Sequence, residues 1–242
     1  MAVAVRLSPG PRRWLMLRPE DASESGAPAG ADALVLDLPA TNLSPAEARA
    51  RLALISRASP APLYARIPPL ETDEAEADLA AAAEARLQGV VLTGAASGAD
   101  VQHVAALLAV AEARAGLPDG ALAILPCVDS AAAVLHLASL PGCSSRLEAL
   151  LWDGEALARD VGAEAARDAE GSWTGCCSTA RSLVLAAAAA AGVPAVDAPF
   201  RDPATGALRG EAEAARRDGF AGKIAVDAAQ LAALADVFRD AP

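Results

Sequence analysis

The sequence predicts a single (β/α)8 TIM barrel over residues 1–242, and three observations carry that expectation. Eight short apolar runs alternate with longer alanine-rich segments in a chain of 242 residues, close to the roughly 250 that an eight-stranded α/β barrel uses as one domain. Nearly every apolar run ends in a charged residue, as a strand buried on both faces does where it leaves the sheet. No Gly-x-Gly-x-x-Gly follows a strand, so an open dinucleotide-binding sheet lacks its phosphate cradle. Strand–helix alternation with short connections selects parallel pairing, and eight units in this length favour closure.

Taken in order, Trp14–Leu17 is a first strand leaving at Arg18, and Ala33–Leu38 is a second. Ser44 with Pro45 and Glu47 starts a helix reaching Ala58: serine as N-cap, proline at the first helical position, an acid in the first turn. Leu63–Ile67 is the third strand, halted by Pro68 and Pro69. A helix over Thr72–Arg86 leads to strand four, Gly89–Thr93, and another over Gly98–Ala115 leads to strand five, which ends at Asp129. An alanine-rich helix to Leu140 and a Pro-Gly-Cys-Ser-Ser loop precede strand six, Leu147–Trp152, followed by a helix over Glu155–Ala166. Thr179–Ala191 is helical and stops at Gly192; Pro194–Pro199 is strand seven, Leu208–Asp218 a helix, Gly222–Asp227 strand eight and Ala228–Phe238 the last helix.

A net charge of −11 argues against a nucleic-acid or anionic-membrane partner, both of which need a basic face. The four cysteines, Cys127, Cys143, Cys176 and Cys177, have no Cys-x-x-Cys spacing and suit reduced thiols of a cytoplasmic protein. Ala2–Val5 is too short for the apolar core of a signal peptide. Leu183–Val196 falls short of the ~20 residues that span a bilayer.

A barrel places its chemistry at the C-terminal ends of its strands. The residues there are Arg18, Asp37, Arg66, Thr93, Asp129, Asp153 with Glu155, Asp197 and Asp227. Acids and arginines on one rim suit a divalent cation together with an anionic substrate. For Asp129 and Asp227, capping of the next helix is an equal alternative. Arg66, near the end of LYARIP, has no capping use, and substrate contact is preferred over a structural ion pair. His103 and His136 lie inside helical patterns, where packing or surface roles are expected. Cys176 and Cys177 precede a helix with no histidine nearby in sequence, which disfavours a nucleophile.

The order of segments resembles the citrate lyase β-subunit-like branch of the HpcH/HpaI aldolase superfamily: RRWLMLRPED, GADALVLDLPATN, LYARIP, GVVLTGAASGADV, ILPCVDSAAAV, LLWDGEALARDVGA, PAVDAPFRD and GFAGKIAVDAAQ. The resemblance implies a barrel that makes or breaks carbon–carbon bonds in malyl-, citramalyl- or citryl-type thioesters or 2-oxo acid adducts, with Mg²⁺ and an arginine-stabilised enolate. It also implies a homo-oligomer, whether dimer, trimer or hexamer. On this pattern Arg66 falls on the substrate arginine, with Asp37 and Arg18 beside it as substrate-binding residues. Asp129 falls on a metal-binding glutamate, and Asp153 and Glu155 stand near the second metal ligand.

Departures from the pattern are specific. Ala156 replaces the aspartate of Gly-Ala-Glu-Asp, Pro39-Ala40 replaces Glu-Asp, Thr93-Gly94 replaces Pro-Lys, and Asp227-Ala228-Ala229-Gln230 replaces His-Pro-Ala-Gln. Two functions are therefore expected to compete: a divergent lyase with a weakened or lost Mg²⁺ site, and a non-catalytic relative that binds a carboxylate or acyl-CoA metabolite or serves as an assembly partner.

Overall fold

The computed structural model describes residues 10–24, 27–201 and 206–239; the Ala2–Val5 segment lies outside them. Eight strands close into a parallel barrel in chain order: β1 Arg13–Leu17, β2 Ala33–Asp37, β3 Leu63–Ile67, β4 Gly89–Leu92, β5 Ala123–Val128, β6 Leu150–Trp152, β7 Ala195–Asp197 and β8 Gly222–Ala225. The (β/α)8 expectation holds. The helices are α1 Pro45–Ala58, α2 Ala75–Glu84, α3 Gly98–Arg114, α4 Ala131–Leu135, α5 Gly154–Asp160, α6 Gly175–Ala191, α7 Gly206–Asp218 and α8 Gln230–Val237. Alternation is not strict: among the described residues no helix separates β1 from β2, and two follow β6.

Local signals account for most of these boundaries. Ser44 and Glu47 form a reciprocal capping box that starts α1, and Ser97 with Asp100 does the same for α3. Gly192 takes the left-handed conformation, φ 72°, that ends α6. Several expected boundaries shift. The helix after β5 breaks at His136 into a 3-10 turn, Leu137–Ser139, and α5 ends at Asp160 rather than Ala166 because Gly162 turns the chain at φ 71°. Helix α6 begins at Gly175, so Cys176 and Cys177 lie in its first turn rather than before it. The four cysteines are free thiols. No helix among the described residues is long and apolar enough to cross a membrane.

Strand side chains alternate between the two faces, and that period positions the site. Inside the barrel, Trp14, Val35, Tyr64, Val91, Leu125 and Leu151 belong to one packed cluster. Two residues further along each of four strands, the same face carries Asp37, Arg66, Thr93 and Asp153; four beyond Leu125 it carries Asp129. The alternate positions, including Leu36, Ala65, Ile67, Leu92 and Trp152, pack outward against the helices.

Asp197 belongs to that outward face, which corrects its expected place on the rim. Val196 points into the barrel, so the next residue points away. Its carboxylate accepts hydrogen bonds from Trp152 Nε1 at 2.9 Å, Arg181 Nε at 3.1 Å and Lys223 Nζ at 2.9 Å. Lys223, fully buried, also donates to the Ala198 carbonyl at 2.9 Å and to Glu211 Oε1 at 2.6 Å. Burial works against the Asp197 charge, but Lys223 and Arg181 outweigh it and hold the carboxyl below its ordinary range. Its contribution to stability is therefore complete above the ordinary aspartate value of about 3.9 and is lost as pH falls through the lowered one. Lys223→Met, which removes the buried cation shared by Asp197 and Glu211 and leaves Arg181 on the first and Arg167 on the second, should cost about 3 kcal/mol of unfolding free energy at neutral pH. Urea denaturation measures this, and a loss under about 1 kcal/mol contradicts a structural role for the pair.

Candidate functional site

The mouth of the barrel is built where the interior face turns polar. Asp37 and Arg66 are neighbours in register at the ends of β2 and β3, and Arg66 Nη1 donates to Asp37 Oδ1 at 2.7 Å. The side chains are 16% and 7% exposed, so the carboxylate fixes a guanidinium that keeps further N–H groups for a ligand. The ion pair weighed against substrate contact is therefore present, and it occupies one side of Arg66.

Asp129 lies just past β5, and its Oδ2 accepts the Gly94 N–H at 3.1 Å. Gly94 sits at φ +67°, a conformation that suits glycine, and the turn it makes after β4 presents that N–H. Capping does not explain Asp129, because Ser130 is the N-cap of α4, accepting from the Ala133 N–H. Burial raises the Asp129 carboxyl above its ordinary range, with Gly94 and Arg66 opposing in part.

Asp153 follows β6 directly and caps α5: its Oδ1 accepts from the N–H groups of Glu155 at 3.2 Å and Ala156 at 3.1 Å. Its Oδ2 accepts from Arg201 Nη2 at 2.8 Å, and Arg201 Nε lies 3.3 Å from Glu155 Oε2. The two acids respond differently. Burial acts against both charges, yet Arg201 and the Ala156 N–H hold Asp153 low, whereas Glu155 stays raised, burial outweighing its more distant contact with Arg201. Beneath them Cys127 is buried and its thiol is pushed well up by desolvation, so it remains protonated.

Of the expected site residues, the structure thus gathers Asp37, Arg66, Asp129, Asp153 and Glu155 at one mouth. Arg18 lies on the turn directly after β1, with its Nε 2.7 Å from Asp21 Oδ2. Asp227 is exposed and accepts the Ala229 N–H at 2.8 Å; it does not cap the next helix, α8, whose N-cap position is Ala229. Thr93 donates to the Ile67 carbonyl at 2.7 Å. Beside the mouth, a cleft of about 740 Å³ opens between α6 and α7 among Trp173, Phe200, Arg167, Arg181, Arg201 and Glu211. A groove of about 770 Å³ between α1 and α2 is walled largely by alanines and lacks the mouth's convergence of charge.

The donor set does not fit a magnesium ion. Mg²⁺ requires near-octahedral oxygen ligands, yet both Asp153 oxygens are already engaged by N–H donors and Glu155 faces Arg201. Among the described residues no three His, Cys, Asp or Glu side chains come together as a metal-holding group. Asp129, Asp153 and Glu155, expected to hold Mg²⁺ jointly, are joined at the mouth by a residue that strand-end reasoning passed over: Arg201, in the loop beyond β7, contacts Asp153 and Glu155.

The arginine and carboxylates on the interior ends of a closed barrel narrow the possible relatives, and comparison with known proteins decides among them. A sequence model of HpcH/HpaI aldolase/citrate lyase matches residues 13–228, from the first residue of β1 to just past β8. The chain belongs to this family. No curated protein sequence matches it. Among solved structures it is similar to CitE from Mycobacterium tuberculosis in complex with magnesium, acetoacetate and coenzyme A, at 25% identity over 97% of this chain and 82% of that one, with a TM-score of 0.78. The citrate lyase beta subunit from the same organism aligns at 25% identity over 96% and 98% of the two chains, TM-score 0.78. RipC from Yersinia pestis, at 24% identity over 99% and 98% and a TM-score of 0.74, shares the fold.

Within this family member, Lys223 had a readable signal: a lone lysine in the apolar strand GKIA must be paired if buried. Asp153 offers a direct test of the local geometry. Asp153→Ala should lower stability by about 0.5–2 kcal/mol through loss of the α5 cap, while Asp153→Asn, an equally good N-cap, should retain most of it. Equal melting temperatures for the two variants would reject the capping role.

Proposed function

We propose that this family member is a carbon–carbon lyase of the citrate lyase β-subunit type, acting at the barrel mouth on a 2-oxo acid or an acyl-CoA thioester adduct of the malyl, citramalyl or citryl kind. The observation that carries the reading is Arg66, a largely buried guanidinium on the interior face, held on one side by Asp37. In such a cleavage the bond between the carbinol carbon and the carbon α to the thioester breaks. The hydroxyl proton leaves, a carbonyl forms, and the electron pair passes to the α-carbon, so charge collects on the enolate oxygen. Arg66 donates charge-assisted hydrogen bonds to that oxygen, an interaction stronger in the transition state than in the ground state. Asp129, tethered by one backbone N–H, is the carboxylate placed to take the proton. The pyruvate bound by a CitE relative is a 2-oxo acid of this class.

A second reading is favoured by Ala156 and by the engagement of Asp153 and Glu155 with Arg201: a relative that binds a carboxylate or acyl-CoA without cleaving it. Turnover of malyl-CoA or citramalyl-CoA separates the two, since binding without product release leaves only the second. Both readings use Arg66. Arg66→Ala should weaken binding of glyoxylate, oxaloacetate or acetyl-CoA by about 1.5–3 kcal/mol, the range for a hydrogen bond to a charged group. Calorimetry measures it, and an unchanged affinity rejects the role.

A further inference from the structure

Arg201 follows β7 by four residues and returns over the end of the neighbouring strand, β6, where Asp153 and Glu155 stand. Its Nη2 lies 2.8 Å from Asp153 Oδ2 and its Nε 3.3 Å from Glu155 Oε2. The Asp153 side chain is only 5% exposed, against 36% for the guanidinium that meets it from the solvent side. A buried carboxylate beside a second carboxylate needs a compensating positive charge. A guanidinium supplies it permanently, because it does not deprotonate in proteins, and its planar fork reaches two acceptors at once.

We propose that Arg201 is the resident cation of this mouth: its guanidinium takes the place between Asp153 and Glu155 that a divalent ion would otherwise occupy, and so keeps Mg²⁺ out. The placement is geometric and independent of lyase activity.

The test uses the full chain and Mn²⁺ as the probe, followed by electron paramagnetic resonance and calorimetry, with no substrate present. Its failure is therefore separate from failure of the lyase reading. Arg201→Ala should bind Mn²⁺ at least ~10-fold more tightly than the unmodified chain, since a fixed positive charge beside the site opposes any second cation. Arg201→Lys, which keeps the charge, should stay close to the unmodified chain, and matching thermal melts confirm that both variants are folded. Equal Mn²⁺ titrations for the unmodified chain and Arg201→Ala, whether both tight or both silent, overturn the proposal, as does Arg201→Lys binding as tightly as Arg201→Ala.

Discussion

The buried ion pair between Lys223 and Asp197 is the constraint on which the second half of the barrel depends. It couples β7 to β8, reaches β6 through Trp152, and draws α6 and α7 inward through Arg181 and Glu211. An apolar seam is tolerant of sliding; a charge pair with every partner in place is not, because a shifted register leaves charges buried and unpaired. The parity of β7 follows from it. With Asp197 directed outward, the chain beyond it emerges over the barrel's end and carries Arg201 to the acids after β6.

At the mouth, each strong positive charge has an internal partner. Arg66 leans on Asp37, and Arg201 bridges Asp153 and Glu155. Pairing of this kind pre-orients donors, so a ligand meets groups whose reorganisation on binding is already small. It also sets the character of the carboxylates. Asp153 is held in its charged form by Arg201 and backbone N–H groups, whereas Asp129, with a single N–H donor and a buried setting, has its carboxyl raised. Two acids each one residue past neighbouring strands thus differ in chemistry because of what surrounds them.

Membership of the HpcH/HpaI aldolase/citrate lyase family accounts for the architecture, while function has to be argued from the side chains at the mouth. The arrangement of charges is this chain's own. At this mouth a guanidinium is brought to two carboxylates.

The sequence by itself determined the fold and named the mouth residues other than Arg201. Apolar runs of strand length and alternating helices imply a closed parallel barrel through burial alone, and Arg66, Asp37, Asp129 and Asp153 were readable because each stands at or next to the end of an apolar run. Counting the two-residue period onward from Val196 would also have turned Asp197 away from the mouth. Only the tertiary structure decided which charges meet. Arg66 and Asp37 are 29 residues apart in sequence, and Arg201 and Asp153 are 48 apart. Arg201 sits in a loop without periodicity, so no local pattern announces its direction. The physical reason is that local energetics specify which face a strand residue occupies, while the partner of a charge depends on strand register and on the path of a loop returning across its neighbour.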